Sequence, residues 1–527
     1  MQNCAISAKS LGQLLESFLA DAPHAVALEN GELLFNFSSA RYSVSGEGKC
    51  VLHLWSDERN AVRRVLDAEL KPRVLRLSVL RFGQSQPTIL EICSDPAAAG
   101  SATALRAIRC RYKQIFERVL LREFPRYKLD SISNRADLEH SCSPVYTRAV
   151  LRQGQSAFAV LGVSGDETQQ SIDNALAFGI LWMNHQREQL AGRAHVAGLK
   201  LFAPAGRGEI LRQRMAHLDR DAAQWQLYEL DERSETCAPL DCADSGNIVT
   251  RLVRAVDADA ARARFSASIA HMQAIAPAAE SYVESASEIV FRLHGLEFAR
   301  AKLAPVAGSF RNNEVITFGL WPAEYTLDDS NEPAFRDLVT RLAERRSPHG
   351  DRSDPLFRLC PERWLESLIT CDVRAIDERL DPRFVYSQVP AFASTDRAMI
   401  DVLTCTLDGR LAILELKADE DIHLPLQGLD YWARVRWHQL NGGFLRNGYF
   451  AGCELSDAQP LLYLVAPALR THPSTDTLLR YLSPQIQWTV VQVDERWRHA
   501  VRVINRKHPQ NPSAADFHGS SRIDGNQ

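Results

Sequence analysis

Residues 411–421 read LAILELKADED, an apolar run that carries Glu415 and Lys417 two positions apart. Side chains two apart on a β-strand point to the same face of the sheet, so these charges lie side by side. An unpaired ion inside a core costs several kcal/mol, which leaves a solvated edge or an ion-binding, reactive site as the explanation. The flanking sequence favours the reactive site, with both side chains facing a solvated cleft.

The bulk composition is that of an ordinary globular protein. The chain has 527 residues, 45% of them hydrophobic, and a formal net charge of -4. This length predicts about two to four domains, and the charge gives no general attraction for polyanions. Eleven cysteines lack the paired spacing of a zinc site, and no window approaches the ~18 apolar residues of a membrane span. We expect a reduced, cytoplasmic chain that contacts no membrane.

A weak internal repeat relates the two halves of the chain. AVLGVSGDE (159–167) lies over AILELKADE (412–420) without a gap, at an offset of 412 − 159 = 253. At the same offset NALAF (174–178) falls on QGLDY (427–431), and later LKLFAPAG resembles LLYLVAPA. The ordered series favours a duplication, and two unrelated α/β domains with a similar rhythm of strands and helices are the alternative.

The repeat sets the domain limits that we expect. Each half would hold a β-rich segment followed by an α/β core, with an Ala-rich helical linker between the halves and a disordered tail rich in Pro, Ser, Gly and Asn. The expected ranges are 1–250 for the first half (β-rich 25–95, core 103–235), 251–285 for the linker, 286–508 for the second half (β-rich 286–345, core 360–506) and 509–527 for the tail.

The core of the second half is predicted as a helix, three strands, and then alternating helices and strands. Its second and third strands flank a DG sequence that is typical of a hairpin turn. The polar residues of interest are, in chain order, Glu366 on the first helix, Asp401, Glu415, Leu416 and Lys417 on the hairpin, and Gln427 and Tyr431 on the next helix. This order resembles the PD-(D/E)xK nuclease superfamily, with the QxxxY element of its RecB-like branch.

The resemblance implies a restriction-endonuclease-like fold and Mg²⁺-dependent hydrolysis of a phosphodiester backbone, with Mn²⁺ as a substitute. Mg²⁺ is a hard cation that takes oxygen ligands, which Asp401 and Glu415 would supply together with the Leu416 carbonyl and Glu366. Lys417 would orient or deprotonate the attacking water and offset the charge that develops on the phosphate.

Each of these residues also has a plainer explanation. Asp401 and Glu415 would form an ordinary ion-pair cluster with Lys417. Gln427 and Tyr431 would contact a phosphate and orient the backbone in a nuclease, but they are ordinary helix residues otherwise. Their ordered spacing favours a catalytic set made of all five residues.

The first half lacks the charged groups of this set. At the offset of the repeat, Gly162 and Ser164 stand where Glu415 and Lys417 are expected, and Arg148 lies near the place of the aspartate. No metal cage forms from these residues, so we expect this copy to be catalytically dead.

A helix of the first half carries a basic stripe interleaved with the aromatic residues Tyr112, Phe116 and Tyr127. Such a stripe could track a phosphate backbone. A solvated amphipathic face is the alternative. The candidate nucleic-acid-binding residues are Arg106, Arg109, Arg111, Lys113, Arg118 and Arg122.

Together these observations predict two restriction-endonuclease-like α/β domains related by duplication, each preceded by a β-rich segment. The C-terminal copy would be a metal-dependent nuclease, with DNA favoured over RNA by analogy with the family. The degenerate N-terminal copy would be a binding or dimerising module, which would give a homodimer. The alternative is a non-catalytic scaffold that binds nucleic acid or a partner protein and keeps the nuclease fold.

Overall fold

The computed structural model describes residues 7–509, except for 21, 23–24, 30–31, 38–40, 47–49, 56–59, 72–73, 82–86, 95–101, 138–142, 244–249, 306–311, 321–322 and 394–395. Residues 510–527 of the predicted tail therefore lie outside the described part. The chain forms two compact units, of which the first comprises Met1–Leu211 and Gln224–Asp241 and the second Arg212–Ala223 and Cys242–Gln527. Both contain helices and sheets, so the mixed α/β class is confirmed.

The first unit begins with a seven-stranded antiparallel sheet of order β2-β1-β7-β6-β5-β4-β3. Its elements are α1 (Ala8–Ala20), β1 (Val26–Glu29), β2 (Glu32–Asn36), β3 (Arg41–Ser45), β4 (Val51–Trp55), β5 (Asn60–Lys71), β6 (Val74–Arg81) and β7 (Thr88–Cys93). Leu52 and Leu54 of β4 alternate with more exposed residues and pack in one core with Leu11 and Leu15 of α1. This alternation is typical of a sheet with one face against a helix.

The rest of the first unit is a six-stranded mixed sheet of order β13-β12-β11-β10-β9-β8. Its elements are α2 (Ala102–Glu123), β8 (Lys128–Ser133), β9 (Tyr146–Gln153), β10 (Ser156–Val163), α3 (Gln169–Asp173), α4 (Ala175–Gln189), β11 (His195–Pro204), β12 (Gln224–Asp231) and β13 (Thr236–Leu240), together with α5 (Glu209–Met215), which belongs to this unit only as far as Leu211. Strand β10 is a continuous apolar run that is buried almost throughout. Such a run is expected for a central strand with helices on both faces.

The second unit begins with a five-stranded antiparallel sheet, β15 to β19 in chain order. Its elements are β14 (Thr250–Leu252), α6 (Ala258–Arg264), α7 (Ser266–Ile275), β15 (Glu280–Ser285), β16 (Glu288–Leu293), β17 (Leu296–Pro305), β18 (Asn312–Leu320), β19 (Ala323–Thr326) and α8 (Glu332–Arg345). Phe265 and Met272 belong to the core of this sheet. The stretch 251–285, expected to be a linker, is therefore an integral part of the second unit, because its apolar side chains are needed to cover the sheet.

The remainder of the second unit is a seven-stranded mixed sheet of order β14-β20-β21-β22-β23-β24-β25. Its further elements are α9 (Pro355–Arg358), α10 (Pro361–Cys371), β20 (Tyr386–Ala393), β21 (Asp396–Cys405), β22 (Leu411–Leu416), α11 (Leu424–Leu440), α12 (Gly443–Arg446), β23 (Leu461–Pro467), α13 (Thr475–Leu479), β24 (Trp488–Val493) and β25 (Val503–Lys507). Trp364, Leu365 and Ile369 of α10 pack on one face of this sheet, and α11 packs against β22 and β23.

The six-stranded sheet and the strands β20 to β25 have the same order and directions. In each, three antiparallel strands are followed by two parallel neighbours and one final antiparallel strand. Val160 pairs with Ala149 in the core under α2, as Leu414 pairs with Val402 in the core under α10. Matching these two buried pairs sets the register in which the two sheets can be compared.

Candidate active site

The centre of the candidate site is the hairpin of β21 and β22. Asp401 lies on β21, and its Oδ2 accepts a hydrogen bond of 3.0 Å from the main-chain N–H of Leu416. The turn needs Gly409, which has a φ of 80°. A side chain there would place its Cβ 2.0 Å from the Glu454 carbonyl oxygen. The DG turn thus lets the hairpin close tightly and sets Asp401 beside the end of β22.

Glu415 and Lys417 form an ion pair on this hairpin. The Lys417 Nζ is 3.1 Å from Glu415 Oε1, and the two side chains are 12% and 2% exposed. The other carboxylate oxygen of Glu415 is buried and accepts no hydrogen bond from any described residue. The prediction that Glu415 faces a solvated cleft is therefore wrong, because the glutamate is buried at the base of the site and Lys417 lies nearer to solvent.

Burial and neighbouring charges shift the pKa values of this pair. Burial raises the pKa of Glu415 well above its usual range, and the Asp401 carboxylate raises it further against the opposing effect of Lys417. Burial disfavours the charged form of Lys417, but Glu415 and Glu362 outweigh it and raise the pKa of the lysine. Lys417 therefore keeps its proton, whereas an ionised Glu415 needs further positive charge nearby.

Helix α10 contributes a second carboxylate, Glu366, to the same place. Its Oε2 accepts hydrogen bonds from Gln388 Nε2 at 2.8 Å and from Arg363 Nη1 at 3.1 Å. Gln388 also donates to Asp401 Oδ1 at 3.3 Å and thus bridges the two carboxylates. Burial raises the pKa of Glu366, and Asp401 adds to this effect while Arg363 opposes it. The structure therefore brings Glu366 and Asp401 together, as the sequence predicts.

Two residues of the site were missed by the sequence reasoning. Gln388 reaches both carboxylates because its φ is 51°, an unusual value for a residue other than glycine, and no sequence signal announces it. Glu362 lies one turn before Glu366 on α10. Burial raises the pKa of Glu362, with Lys417 opposing and Asp401 adding to the shift. The spacing of four between the two glutamates was the available signal, because such residues share one face of a helix.

Helix α11 lies on the other side of the hairpin. It approaches β23 closely at Gly428, where a Cβ would lie 2.6 Å from the Leu464 side chain. Burial raises the pKa of Tyr431, and the charges of Glu415 and Asp401 raise it further, so Tyr431 is within electrostatic range of the site. The Gln427 Oε1 is buried and has no hydrogen-bond partner among the described residues. Gln427 thus shares the helix of Tyr431 but does not touch the carboxylates.

The carboxylates of the site offer few ligands to a divalent cation. Among the described residues, no group of three or more His, Cys, Asp or Glu side chains has the spacing of a metal-ligand cluster. Mg²⁺ is commonly held by only one or two carboxylates and keeps several waters. Asp401 and the open oxygen of Glu415 meet this lower requirement. They fit an ion that is completed by water and substrate, and they do not form a closed cage.

The first unit has no such charges at the corresponding positions. Four residues lie between the paired Arg152 and Ala157, whereas five lie between Cys405 and Leu411, the pair that corresponds to them in this register. The expected placement of Gly162 and Ser164 is therefore wrong by one residue, and a slip of one residue moves a side chain to the other face. In the register set by the two buried pairs, Arg148, Leu161 and Val163 of the first unit occupy the positions of Asp401, Glu415 and Lys417 of the second.

The basic stripe on α2 is largely engaged within the first unit. Arg109 forms a two-pronged ion pair with Glu167, whose shorter contact is 2.6 Å. Arg118 pairs with Glu235, and Arg122 lies 2.9 Å from Glu123. Of the other candidates, Arg111 is exposed and Lys113 half-buried, and the side chain of Arg106 lies outside the described part. Tyr112 and Phe116 are core residues, so they are not the interleaved surface aromatics that we expected.

Comparisons of the chain with protein-family models, with curated proteins and with solved structures found no match. None of the described helices is both long enough and apolar enough to cross a membrane. The function is therefore argued from the site itself.

Proposed function

We propose that the second unit is a metal-dependent nuclease with a restriction-endonuclease-like fold. The observation that carries the proposal is the hairpin that sets Asp401 beside Glu415, with Lys417 paired to the glutamate at 3.1 Å. Glu366 joins them from α10 through Gln388. These groups occur in the order and on the elements that characterise the PD-(D/E)xK superfamily, which the sequence resembles.

Asp401 and Glu415 would hold the Mg²⁺, and Glu366 and the Leu416 carbonyl would be further oxygen ligands. When bound, the ion would polarise the scissile phosphate and favour ionisation of water. The structure supports this donor set in one respect beyond the sequence. Glu415 is a buried carboxylate with an unused oxygen, and such a group is costly unless a cation or a donor compensates it.

The protein side chains would supply the remaining chemistry. Lys417 brings a protonated amine to the rim of the site, where it would orient water and offset charge on the phosphate. Gln388 would hold Glu366 and Asp401 in fixed orientations, since it donates to both. Tyr431, on α11, would position the nucleic-acid backbone. DNA is the favoured substrate, by analogy with the family alone.

We also propose that the two α/β sheets arose by duplication and that the first copy has lost its metal site. The shared strand order and the common register support this origin. Arg148 then takes the place of Asp401, so a fixed positive charge stands where the second copy has a ligand for a cation. Leu161 in place of Glu415 removes the other carboxylate.

A non-catalytic scaffold is the second candidate. It is favoured by the missing three-residue cluster among the described residues and by the closed contact of Glu415 with Lys417. The two candidates differ in their response to metal. A nuclease should be stabilised by Mn²⁺ or Mg²⁺ and should cleave nucleic acid, whereas a scaffold should do neither.

The experiment is a cleavage series with labelled DNA and RNA, in Mg²⁺, in Mn²⁺ and in EDTA. We expect the purified chain to cleave in either metal and not in EDTA. Lys417→Ala should slow cleavage by about a hundred- to a thousandfold, the usual cost of losing one electrostatic contact to a transition state. If Lys417→Ala cuts as fast as the unmodified chain, the nuclease is not at this site.

A further inference from the structure

The five-stranded sheet of the second unit contributes an arginine near the candidate site. Arg292 lies on β16, and the centre of its guanidinium is 4.1 Å from the ring centre of Tyr282 on β15. The Tyr282 hydroxyl donates a hydrogen bond of 2.7 Å to the main-chain carbonyl of Ser387 on β20. Ser387 directly precedes Gln388, the residue that bridges the carboxylates. The stacked pair is thus tied to the strand that borders the site.

The hydrogen-bonding groups of Arg292 are not used by the part of the chain that the structure describes. The half-buried side chain forms no hydrogen bond and no ion pair with a described residue, and its recorded side-chain contact is the stacking on Tyr282. Arg300, on the neighbouring strand, shows the usual alternative. Its guanidinium donates to Glu297 at 2.7 Å and also pairs with Glu288.

The charges that face Arg292 come from two elements. Glu280 is its main-chain partner on β15, and the positive charge of Arg292 opposes the rise in the pKa of Glu280 that burial causes. The positive charge of Arg292 also opposes the rise in the pKa of Glu366 on α10 that burial causes. Arg292 therefore lies within electrostatic range of the carboxylates and keeps five N–H donors for another acceptor.

We propose that Arg292, stacked on Tyr282, binds a backbone phosphate of the nucleic acid next to the phosphate that is cut. The inference rests on the proposed nuclease function. The cluster of Asp401, Glu415 and Glu366 repels a phosphate backbone, so a nearby cation with open donors offsets that repulsion. The planar guanidinium matches two phosphate oxygens at once, and the aromatic ring beneath it holds the plane in orientation. The five-stranded sheet thus contributes directly to the substrate-binding surface.

The test measures binding in the Lys417→Ala background, so that the DNA stays intact. Fluorescence anisotropy of two fluorescein-labelled oligonucleotides of unrelated sequence would be recorded over a range of salt concentrations. Arg292→Gln should weaken the affinity for both by about ten- to a hundredfold, the cost of one hydrogen-bonded charge contact. It should also lower the slope of log K against log salt by about 0.9, the contribution of one phosphate contact.

Two further variants keep the result interpretable. Arg292→Lys keeps the charge and loses the fork, so it should keep the salt slope and bind with intermediate affinity, which also controls for misfolding of the glutamine variant. Arg341→Gln, on the exposed face of α8, should bind like the parent, because its pair with Asp337 is exposed to solvent.

The subsite is wrong if Arg292→Gln keeps the affinity and the slope of the parent, or if the parent does not bind the oligonucleotides. It is also wrong if the loss depends on base sequence, because a phosphate contact carries no sequence information, or if Arg341→Gln weakens binding equally. Metal-dependent cleavage by the unmodified chain, and its loss in Lys417→Ala, judge the nuclease proposal separately. If the chain binds nucleic acid through Arg292 but never cleaves it, the nuclease proposal is wrong and the phosphate-binding role of Arg292 stands.

Discussion

The two mixed sheets of this chain share one strand order but differ at their centres, by which we mean the positions of Asp401, Glu415 and Lys417 in the second unit and the corresponding positions in the first. In the second, Asp401 and Glu415 lie side by side with Lys417, and burial raises the pKa of the glutamate. In the first, Arg148 and Leu161 occupy the two carboxylate positions. The strand framework needs neither set of charges to fold. A buried acid that the strand framework does not need, and that costs stability, is the kind of position at which we propose a function.

The aspartate–glutamate–arginine sequence at the end of β12 (residues 231–233) and after β24 (residues 494–496) makes the same contrast. In the first unit Glu232 turns inward and accepts hydrogen bonds from Ser164 Oγ at 2.9 Å and Gly165 N–H at 2.6 Å. In the second unit Glu495 accepts instead from the Leu469 N–H at 2.7 Å and is exposed. The first centre is therefore closed by hydrogen bonds to Glu232, whereas Glu495 of the second unit is hydrogen-bonded to Leu469 instead.

The largest expected effect is on the second centre alone. Asp401→Asn should reduce metal-dependent cleavage by at least about a hundredfold, because the variant loses a ligand and keeps the shape of the side chain. The Leu416 N–H can still donate to the Asn oxygen, so the midpoint of urea unfolding should change little. The matched variant, Arg148→Gln in the first unit, should leave the cleavage rate unchanged. Equal losses in both variants would remove the distinction between the two centres.

The second prediction tests the packing of the first centre. A Cβ on Gly162 would lie 2.5 Å from Tyr112 Oη and 2.8 Å from Phe116 Cζ, so Gly162→Ala should lower the free energy of unfolding by about 1–3 kcal/mol. The Tyr112 hydroxyl is buried without a partner among the described residues, so Tyr112→Phe should raise it by about 1 kcal/mol. The free energy of unfolding of the double variant should exceed the value that adding the two single changes predicts, by at least about 0.5 kcal/mol.

The measurement is urea unfolding of the full chain with each variant of the cycle. The control is Gly12→Ala on α1, where nothing lies within 4 Å of the added carbon. This change should be neutral or stabilising by about 0.5–1 kcal/mol, because alanine favours a helix over glycine. Strict additivity of Gly162→Ala and Tyr112→Phe would show that the hydroxyl does not fill the space beside Gly162.

The third prediction concerns Lys200, a buried lysine of the first unit. Lys200 lies among aromatic rings, the nearest being Phe158 at 4.2 Å, and burial lowers its pKa to about 8. In the register that matches Val160 with Leu414, Lys200 corresponds to Tyr463, whose hydroxyl donates to Asp377 at 2.9 Å. In the first unit Lys200 thus lies in an aromatic cage and donates to Gln226 Oε1, where the second unit has a tyrosine bonded to a carboxylate.

The unfolded chain binds the Lys200 proton more tightly than the folded chain does. The stability of the first unit should therefore rise as the pH goes from about 8, the pKa of Lys200 in the folded chain, toward its higher pKa in the unfolded chain. Between about pH 7.5 and 9.5 the gain should be about 2 kcal/mol in the free energy of urea unfolding. Lys200→Met should abolish this slope. A slope that persists in Lys200→Met would assign the dependence to other groups.

Local signals account for the parts of the site that could be predicted from sequence. The DG turn between two apolar strands predicted the hairpin of β21 and β22, and helical periodicity predicted α10 and α11. Gln388 could not be predicted, since its contacts depend on a positive φ inside a strand. Arg292 could not be assigned to the site either, because it lies on a separate sheet. The slip at Gly162 arose because an ungapped match of letters hides a turn that is one residue longer.

The smallest effect is expected on the basic stripe of α2. Arg109 donates from Nε and Nη2 to the two carboxylate oxygens of Glu167, so few of its donors remain for a phosphate. Arg111 and Lys113 form no ion pair with a described residue. If the first unit binds nucleic acid through α2, Arg111→Gln with Lys113→Gln should lower the slope of log K against log salt by no more than about 1.8, which is 0.9 for each phosphate contact. Arg109→Gln should leave the slope unchanged and instead lower the thermal midpoint, because it leaves the largely buried Glu167 without its partner. Anisotropy titrations of the Lys417→Ala chain measure the slope. A larger change with Arg109→Gln than with the pair would mean that the arginine leaves Glu167 to bind DNA, and the first unit would then be a binding module despite its closed centre.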